Sequence, residues 1–341
     1  MMCKSILQEG NNLKRFVFWG LLMMVSFMLI MGGCDQPAAP GDVPDKTFNI
    51  GIVQLVEHAA LDDARMGTIQ ALADEGFVEG QNLNIDFKNA QGEPATAVII
   101  SQGFVADNLD LIIAITTPAV QAAATATQDI PIVFNSVTDP QEAGVVESWE
   151  QPNTNVTGVS DLNPVKETLE LILEIQPGTK NVGIIYNTGE VNSVVQADIA
   201  KSLASDLNIN IVEATVTHTG EVGTAAEALV GKVDAIFLPT DNTSMTAFHS
   251  ILRVTEENGI MVVGSATEFA ELGAVAAIGF NYYDLGYQSG IMAAQVLKGA
   301  NPAEMPVQLP TKVFYAINEA AAQKIGITLP QGLVDRAEIK Y

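Results

Sequence analysis

Residues 56–67 read VEHAALDDARMG: Glu57 stands beside His58, and Asp62, Asp63 and Arg65 follow within eight residues, directly after the apolar run FNIGIVQL. An acid beside an imidazole, with further carboxylates near, is the residue set of a metal site or a general acid–base centre. The spacing supports neither. A helical zinc site of the H-E-x-x-H kind needs two histidines one turn apart, and the three histidines, His58, His218 and His249, lie far apart in the chain. Nucleophilic catalysis lacks its parts as well. There is no G-x-S-x-G elbow, and both cysteines, Cys3 and Cys34, fall near the N-terminus. The stretches GIVQLVEHAALDDARMG and GIIYNTGEVNS follow strand-like runs without G-x-G-x-x-G or a P-loop pattern, so no nucleotide cofactor is expected. No catalytic residue, metal site or cofactor is assigned. The polar residues offer hydroxyls, amides and a few carboxylates, which suit holding a ligand rather than transforming it.

The elements that must position these groups are legible from periodicity. Short apolar runs (FNIGIVQ, LNIDF, LIIAI, IPIVFN, VTGVS, NVGIIYN, INIVEA, DAIFLP, IMVVG, VAAIGF) alternate with helical patterns. In the first of these, Leu61, Ala64, Thr68, Ile69 and Leu72 share one helical face. Near-continuous apolar strands alternating with helices predict an α/β fold with parallel sheets buried on both faces. The pattern also occurs twice. NIGIV, LNIDF, LDLIIAITT and IVFNSVTDP meet NVGII, INIVE, VDAIFLPTD and MVVGSATEF in the same order, at offsets of 124 to 132 residues. Four ordered matches predict two similar doubly wound lobes, with a boundary near the turn-rich NVTGVSDLNP, residues 155–164.

In open parallel sheets, ligands sit at the carboxyl ends of the strands, where the following helices point their N-terminal amides. Two facing lobes place these polar tips around a cleft. The loops VEHAA, TTPA, NSVTDP, SDLNP, NTGEVNS, PTDNTS, SATE and FNYYD supply the candidate ligand residues Glu57, His58, Thr116, Thr117, Ser136, Asp161, Glu190, Asn192, Ser193, Asp241, Asn242, Ser265, Phe280 and Tyr282. The mixture suits a zwitterion. Hydroxyls and helix-start amides at Thr116, Thr117 and Ser193 receive a carboxylate, and Asp161 or Asp241 pairs with an ammonium. Phe280, Tyr282 and Tyr283 offer an aromatic wall. Each residue has a purely architectural alternative: Ser193 and Thr243 stand where N-caps belong, Pro118 suits a first helical turn, Asp161 and Asp241 suit turns, and Phe280 suits a core strand end. Asp62, Asp63 and Arg65 are assigned to the first turns of a helix, and Glu57 and His58 to the rim or wall of the cleft.

The first residues are an export signal in outline. Lys4, Lys14 and Arg15 precede a 16-residue apolar run, Phe16 to Met31, then GGC and the Pro/Ala/Asp-rich DQPAAPGDVPDK. The run is short of the roughly 20 residues that span a bilayer as a helix. LIMGGC resembles the bacterial lipobox, whose cysteine becomes the lipid-bearing N-terminus; the alternative is a plain signal with a chance cysteine. Residues 1–33 are therefore read as a signal peptide, and residues 34–46 as a lipidated N-terminus and tether. Removing the signal, with its three basic residues and one glutamate, takes the net charge from −24 to −26. Such a surface repels nucleic acid phosphates and favours solubility.

The ordered blocks VEHAALDDARMG, AITTPAVQAA, IPIVFNSVTDPQEAG, NVTGVSD, GIIYNTGEVNSVVQ, VDAIFLPTDNT and GFNYYDLGYQSG together resemble the tryptophan/tyrosine-type ABC transporter substrate-binding proteins, from about Phe48 to Leu329. The resemblance implies a type I periplasmic binding protein: two lobes, a three-segment hinge and a ligand enclosed between them. It implies crossings near residues 158, 281 and 310, with YDLGYQSGIMAAQVLKG a helix returning to the first lobe and KVFYAIN a strand returning to the second. The first lobe is then residues 47–158 with 281–309, and the second 159–280 with 310–341. The implied ligand is an aromatic amino acid, and the implied partners are a membrane ABC permease and a separate ATPase subunit. A sensory receptor component, a binding protein for nucleosides or short peptides, and an enzyme remain alternatives on the same fold. Radiolabelled fatty acid is expected to enter the wild-type chain and not Cys34→Ala; equal labelling of both overturns the lipoprotein reading.

Overall fold

The computed structural model describes residues 46–341. Cys34, the signal and nearly all of the tether lie outside the described residues.

The first sheet is built from β1 (Phe48–Gln54), β2 (Leu83–Asn89), β3 (Leu111–Ile115), β4 (Ile132–Val137) and β5 (Val156–Ser160), joined through the helices α1 (Ala59–Asp74), α2 (Pro94–Ala106) and α3 (Thr117–Ala126). All pairings are parallel, in the order β2-β1-β3-β4-β5. The inner strands β3 and β4, and the terminal strand β5, are buried along their whole length, whereas the opposite edge strand β2 exposes part of its surface. Alternate residues serve opposite faces. Ile50, Ile52, Leu111 and Ile113 pack in one apolar layer with Leu61, Leu72 and Leu285. Val53, Ile112 and Ala114 pack in the other with Ala97, Phe104 and Val120.

The second sheet follows the same plan. Its strands β6 (Asn181–Asn187), β7 (Asn210–Val216), β8 (Ala235–Leu238), β9 (Met261–Gly264) and β10 (Ala276–Gly279) run in the order β7-β6-β8-β9-β10. That is the order of the first sheet, so the sequence repeat is a repeat of topology. Its helices are α4 (Val165–Ile175), α5 (Val191–Leu203), α6 (Val222–Leu229), α7 (Asn242–Thr246), α8 (Phe248–Glu257) and α9 (Glu268–Leu272). The remainder of the chain is α10 (Tyr282–Leu297), β11 (Phe314–Ile317), α11 (Glu319–Lys324), α12 (Gln331–Arg336) and β12 (Ile339–Lys340). Here β11 is antiparallel to β10, and β12 closes the edge.

Three segments connect the lobes. The chain leaves β5 for α4 and leaves β10 for α10, whose Leu285, Met292 and Ala293 join the apolar layer of the first sheet. Gln308 then pairs with the edge of β5, through Gln308 N–H to Gly158 O and Ser160 N–H to Gln308 O, before β11 joins the second sheet.

α10 lies against α1 along a glycine seam. A Cβ at Gly286 would collide with the backbone of Ala64, one at Gly290 with Thr68, and one at Gly67 with Tyr283. The close approach lets Thr68 Oγ1 donate to the carbonyl of Gly286 at 3.0 Å. Gly286→Ala is expected to destabilise the protein by at least about 2 kcal/mol, because rigid backbone must move. Gly332→Ala, in an exposed helical position with open space at its Cβ, should be neutral or slightly stabilising. Urea denaturation midpoints of the two variants check the difference.

Candidate functional site

The carboxyl ends of both sheets enclose a cavity, a void of about 400 Å³ counted out to its mouth. His58, Ala60, Leu61, Thr116, Thr117, Ser136 and Thr138 wall it from the first sheet's side; Asp161, Asn192, Thr240, Asp241, Asn242, Met245 and Ala266 from the second; Tyr282 stands at the connection.

On the first side, β3 ends at Ile115 and α3 begins at Thr117 with Pro118 in its first turn. Thr116 between them has φ 93°, a backbone conformation β-branched residues rarely adopt. The hydroxyls of Thr116 and Thr117 are buried and have no hydrogen-bond partner. They stand at the start of α3, whose first amides have no intrahelical acceptor. Ser136, at φ 56°, sits where the β4–β5 register shifts, and its hydroxyl donates to Asn135 Oδ1 at 3.1 Å. His58 precedes α1 in extended conformation. Burial lowers its pKa to about 4, against the opposing charge of Asp62, so the imidazole is neutral above pH 5.

On the second side, Asp161 is buried directly after β5. Its Oδ1 accepts from Thr138 Oγ1 at 3.1 Å and its Oδ2 from Tyr282 Oη at 2.9 Å. Burial raises its pKa and outweighs these hydrogen bonds. Burial and the neighbouring Asp161 likewise hold the Tyr282 phenol well above its ordinary value. Asn192, in the first turn of α5, donates its Nδ2 to Thr240 O at 2.8 Å and to Glu190 Oε2 at 3.2 Å. Those acceptors fix the amide orientation and leave Oδ1 buried without a donor.

Glu190 and Asp241 form the framework behind this wall. Asp241 caps α7, accepting from Ser244 N, and also accepts from Asn187 N at 2.8 Å and from the Ser193 hydroxyl. Glu190 accepts from the backbone N–H and side chains of Asn242 and Thr243. Burial, then the adjacent Asp241, raises the pKa of Glu190. The pair ties the loop after β6 to the loop after β8.

Of the residues expected at the site, His58, Thr116, Thr117, Ser136, Asp161, Asn192, Asp241, Asn242 and Tyr282 line the cavity. Five do not reach it. Glu57 points to solvent, because the extended residue before α1 turns its neighbour outward. Glu190 borders a separate outer space of about 1230 Å³ between the lobes, with Gln91, Pro118 and His218. Ser193 is buried behind the wall on Asp241, and Ser265 and Phe280 are buried off the wall. The expected caps also shift: Glu190 rather than Ser193 begins α5, and Asp241 rather than Thr243 caps α7. Thr138, Thr240, Ala60, Leu61, Met245 and Ala266 were not among the expected residues. The two threonines lie in loops already marked as polar tips; the four apolar residues carry no signal that separates them from core. Among the described residues, no group of three or more His, Cys, Asp or Glu side chains is placed to hold a metal ion.

With this geometry in place, comparison with known proteins decides the family. The profile of the ABC transporter substrate binding protein family matches residues 49–340. The chain belongs to that family. It is 44% identical over 274 residues, 80% of this chain and 79% of the relative, to a tyrosine-binding protein of Clostridioides difficile. It also superposes on the ABC domain in complex with L-Trp from Streptococcus pneumoniae with a TM-score of 0.84, at 35% identity, covering 87% of this chain and all of that one. A ligand-free, open substrate-binding protein with adhesive properties from Clostridium difficile gives 0.68 at 40% identity, covering 86% of this chain and 99% of that one. The better overlap belongs to the less identical sequence, so divergence does not account for the difference. The lobes of this chain are set more nearly as in the L-Trp complex than as in the ligand-free, open structure. Family membership makes the chain a solute-binding component of an ABC transporter, and the family is not one of enzymes.

In an NMR titration the His58 imidazole is expected to stay neutral down to about pH 5, with a midpoint near 4. A midpoint near 6.5 would mean that the closed, dry wall is absent in solution.

Proposed function

We propose that the protein captures a zwitterionic aromatic amino acid, tyrosine or tryptophan foremost, by closing its two lobes on it, and delivers it unchanged to a membrane permease driven by a separate ATPase. The observation that carries this reading is a set of buried groups on one cavity: the unpartnered Thr116 and Thr117 hydroxyls and Asn192 Oδ1, and the Asp161 carboxylate, which is hydrogen-bonded by Thr138 and Tyr282 but paired with no cation among the described residues. Hydroxyls and free amides at the start of α3 suit a carboxylate. Asp161 suits the ammonium better than Asp241 does. Each Asp161 oxygen accepts one side-chain hydrogen bond, whereas Asp241 is spent on Ser244, Asn187 and Ser193. No lysine or arginine lines the cavity, so a second negative charge on the ligand would find no partner. Ala60, Leu61, Met245, Ala266 and the Tyr282 ring provide an apolar wall for a side chain.

The names of the relatives agree with this ligand class: one is a tyrosine-binding protein, another a complex with L-Trp. A ligand that touches both lobes binds the closed form better and shifts the population toward it. In this reading, residues 47–158 with 281–309 and 159–280 with 310–341 move as the two bodies, and the three connecting segments are the hinge. The protein works outside the cytoplasmic membrane, held there by lipid on Cys34.

Isothermal titration with tyrosine, tryptophan and phenylalanine, against glutamate and adenosine as controls, tests the proposal. At least one aromatic amino acid is expected to bind in the micromolar range, about 8 kcal/mol, and both controls not at all. Asp161→Asn should weaken that binding by at least about tenfold while leaving the melting temperature of the free protein unchanged or raised, since the change removes an uncompensated buried charge. If no aromatic amino acid binds at millimolar concentration, the ligand assignment is wrong.

A further inference from the structure

The turn between β1 and α1 fastens the backbone of His58 and leaves its side chain unclaimed. Gln54, at the end of β1, donates its Nε2 to Val56 O at 2.9 Å and to Asp62 Oδ1 at 3.0 Å, and the Asp62 N–H donates to His58 O at 3.1 Å. Arg65 holds the same Asp62 carboxylate at 3.5 Å. The imidazole itself lines the cavity, does not cap α1, and has no hydrogen-bond partner among the described residues. Most other polar side chains of the cavity are engaged. Thr138 and Tyr282 donate to Asp161, Ser136 to Asn135, and Asn192 and Asn242 to Glu190, while Thr240 Oγ1 accepts from Gln196 at 2.6 Å. The unpartnered Thr116 and Thr117 hydroxyls stand at the start of α3, where a carboxylate is suited. His58 instead stands two and three residues before Ala60 and Leu61 of the apolar wall, and Ala60 shares a cluster with Ala266, Tyr282 and the half-buried Met245.

We propose that His58 is the specificity-determining residue of the cavity, hydrogen-bonding the polar atom of the ligand's aromatic side chain and so selecting the tyrosine phenol or the tryptophan indole N–H over phenylalanine. This deepens the aromatic amino acid reading above and rests on it. A carboxylate at the start of α3 and an ammonium at Asp161 are common to all three ligands and distinguish none of them. An apolar wall likewise accepts any of the three rings. What differs is one hydrogen-bonding group on the ring. Burial holds the imidazole pKa down to about 4, so at pH 7 one ring nitrogen donates and the other accepts. A phenol, which does both, and an indole N–H, which donates, each find a partner there. An imidazolium, a donor only, cannot accept from the indole. Phenylalanine offers neither group, and closure over it takes the imidazole out of water with its nitrogens unmet, a cost that falls on that ligand alone. The bracing of the turn by Gln54 and Asp62 presents the ring in one place, so little further ordering is needed when the ligand arrives.

Calorimetry at pH 7 with tyrosine, tryptophan and phenylalanine, on the wild type, His58→Leu and His58→Gln, tests this. The wild type is expected to bind phenylalanine at least about tenfold more weakly than the tighter of the other two. His58→Leu should lose that preference through weaker binding of the polar rings, with phenylalanine bound as before or more tightly, which also shows that the variant is folded. His58→Gln, which keeps a donor and an acceptor, should retain part of it. The wild type alone gives a second readout: the nitrogen-15 shifts of the His58 ring should move on addition of tyrosine in a way that phenylalanine does not reproduce. Equal affinity of the wild type for all three ligands overturns the proposal, as does a preference that survives in His58→Leu. An equal loss for all three in His58→Leu overturns it too, because it places the imidazole on the part that the ligands share. If none of the three binds, the ligand assignment falls and this inference with it, whereas equal binding removes the inference alone.

Discussion

A carboxylate buried without a cation is the constraint around which the cleft is arranged. Asp161 follows the last strand of the first sheet, where the chain passes toward the second, and is taken out of water by both lobes at once. Two hydrogen bonds, from Thr138 and Tyr282, lessen the cost without cancelling it. A fully paired aspartate would need nothing further. In the reading proposed above, an aspartate without a cation makes the closed state costly until a positive group arrives, so that closure is favoured when the cleft is occupied. The strained Thr116 and the unpartnered hydroxyls of Thr116 and Thr117 act in the same direction, since their unmet hydrogen bonds are also a cost of the empty closed form.

The other buried acids behave differently, which shows that burial alone does not make a site. Glu190 and Asp241 are as deeply buried as Asp161, yet both are surrounded by donors of their own lobe. They lock two strand-end loops together so that Asn192 is held with one end of its amide spoken for and the other free. The first sheet provides a recess at a helix start, and the second a braced acidic wall. The repeat in topology is thus not a repeat in chemistry, because the same strand-end positions carry hydroxyls in one lobe and carboxylates in the other.

Much of this was legible in the sequence, and the limits follow from what a sequence can encode locally. The apolar runs and the fourfold ordered match predicted two parallel sheets of one topology, since an inner parallel strand must be apolar on both faces and so leaves an unambiguous trace. The polar loops between strand and helix were equally visible, and nine of the fourteen residues drawn from them line the cavity. The five that do not were lost to orientation within a loop: Glu57 and His58 are adjacent, and extended backbone sends one outward and the other inward. Ser193 shows a second limit. It was read as a helix start, but the helix begins three residues earlier at a glutamate bonded to the neighbouring loop, a tertiary partner that local pattern does not contain. Ala60, Leu61, Met245 and Ala266 show a third, because an apolar residue facing a cavity and one facing a core obey the same periodicity.

The glycine seam between α1 and α10 connects these parts mechanically. His58, Ala60 and Leu61 stand on or just before the first turn of α1, and Tyr282 on the first turn of α10. Gly67, Gly286 and Gly290 bring the two helices so close that backbone meets backbone, a contact that cannot slide without losing its fit. Tyr282 in turn donates to Asp161. The neutral imidazole, the apolar patch beside it and the phenol that donates to Asp161 therefore belong to one rigid body, and Ala266, Phe269 and Ala270 of the other lobe share an apolar cluster with it. In the two-body reading proposed above, opening separates that cluster from this body while the short segments near Asp161 and Asn281 bend. The groups whose burial is costly lie along this path, which couples the energetics of the acids to the geometry of closure without a dedicated relay between them.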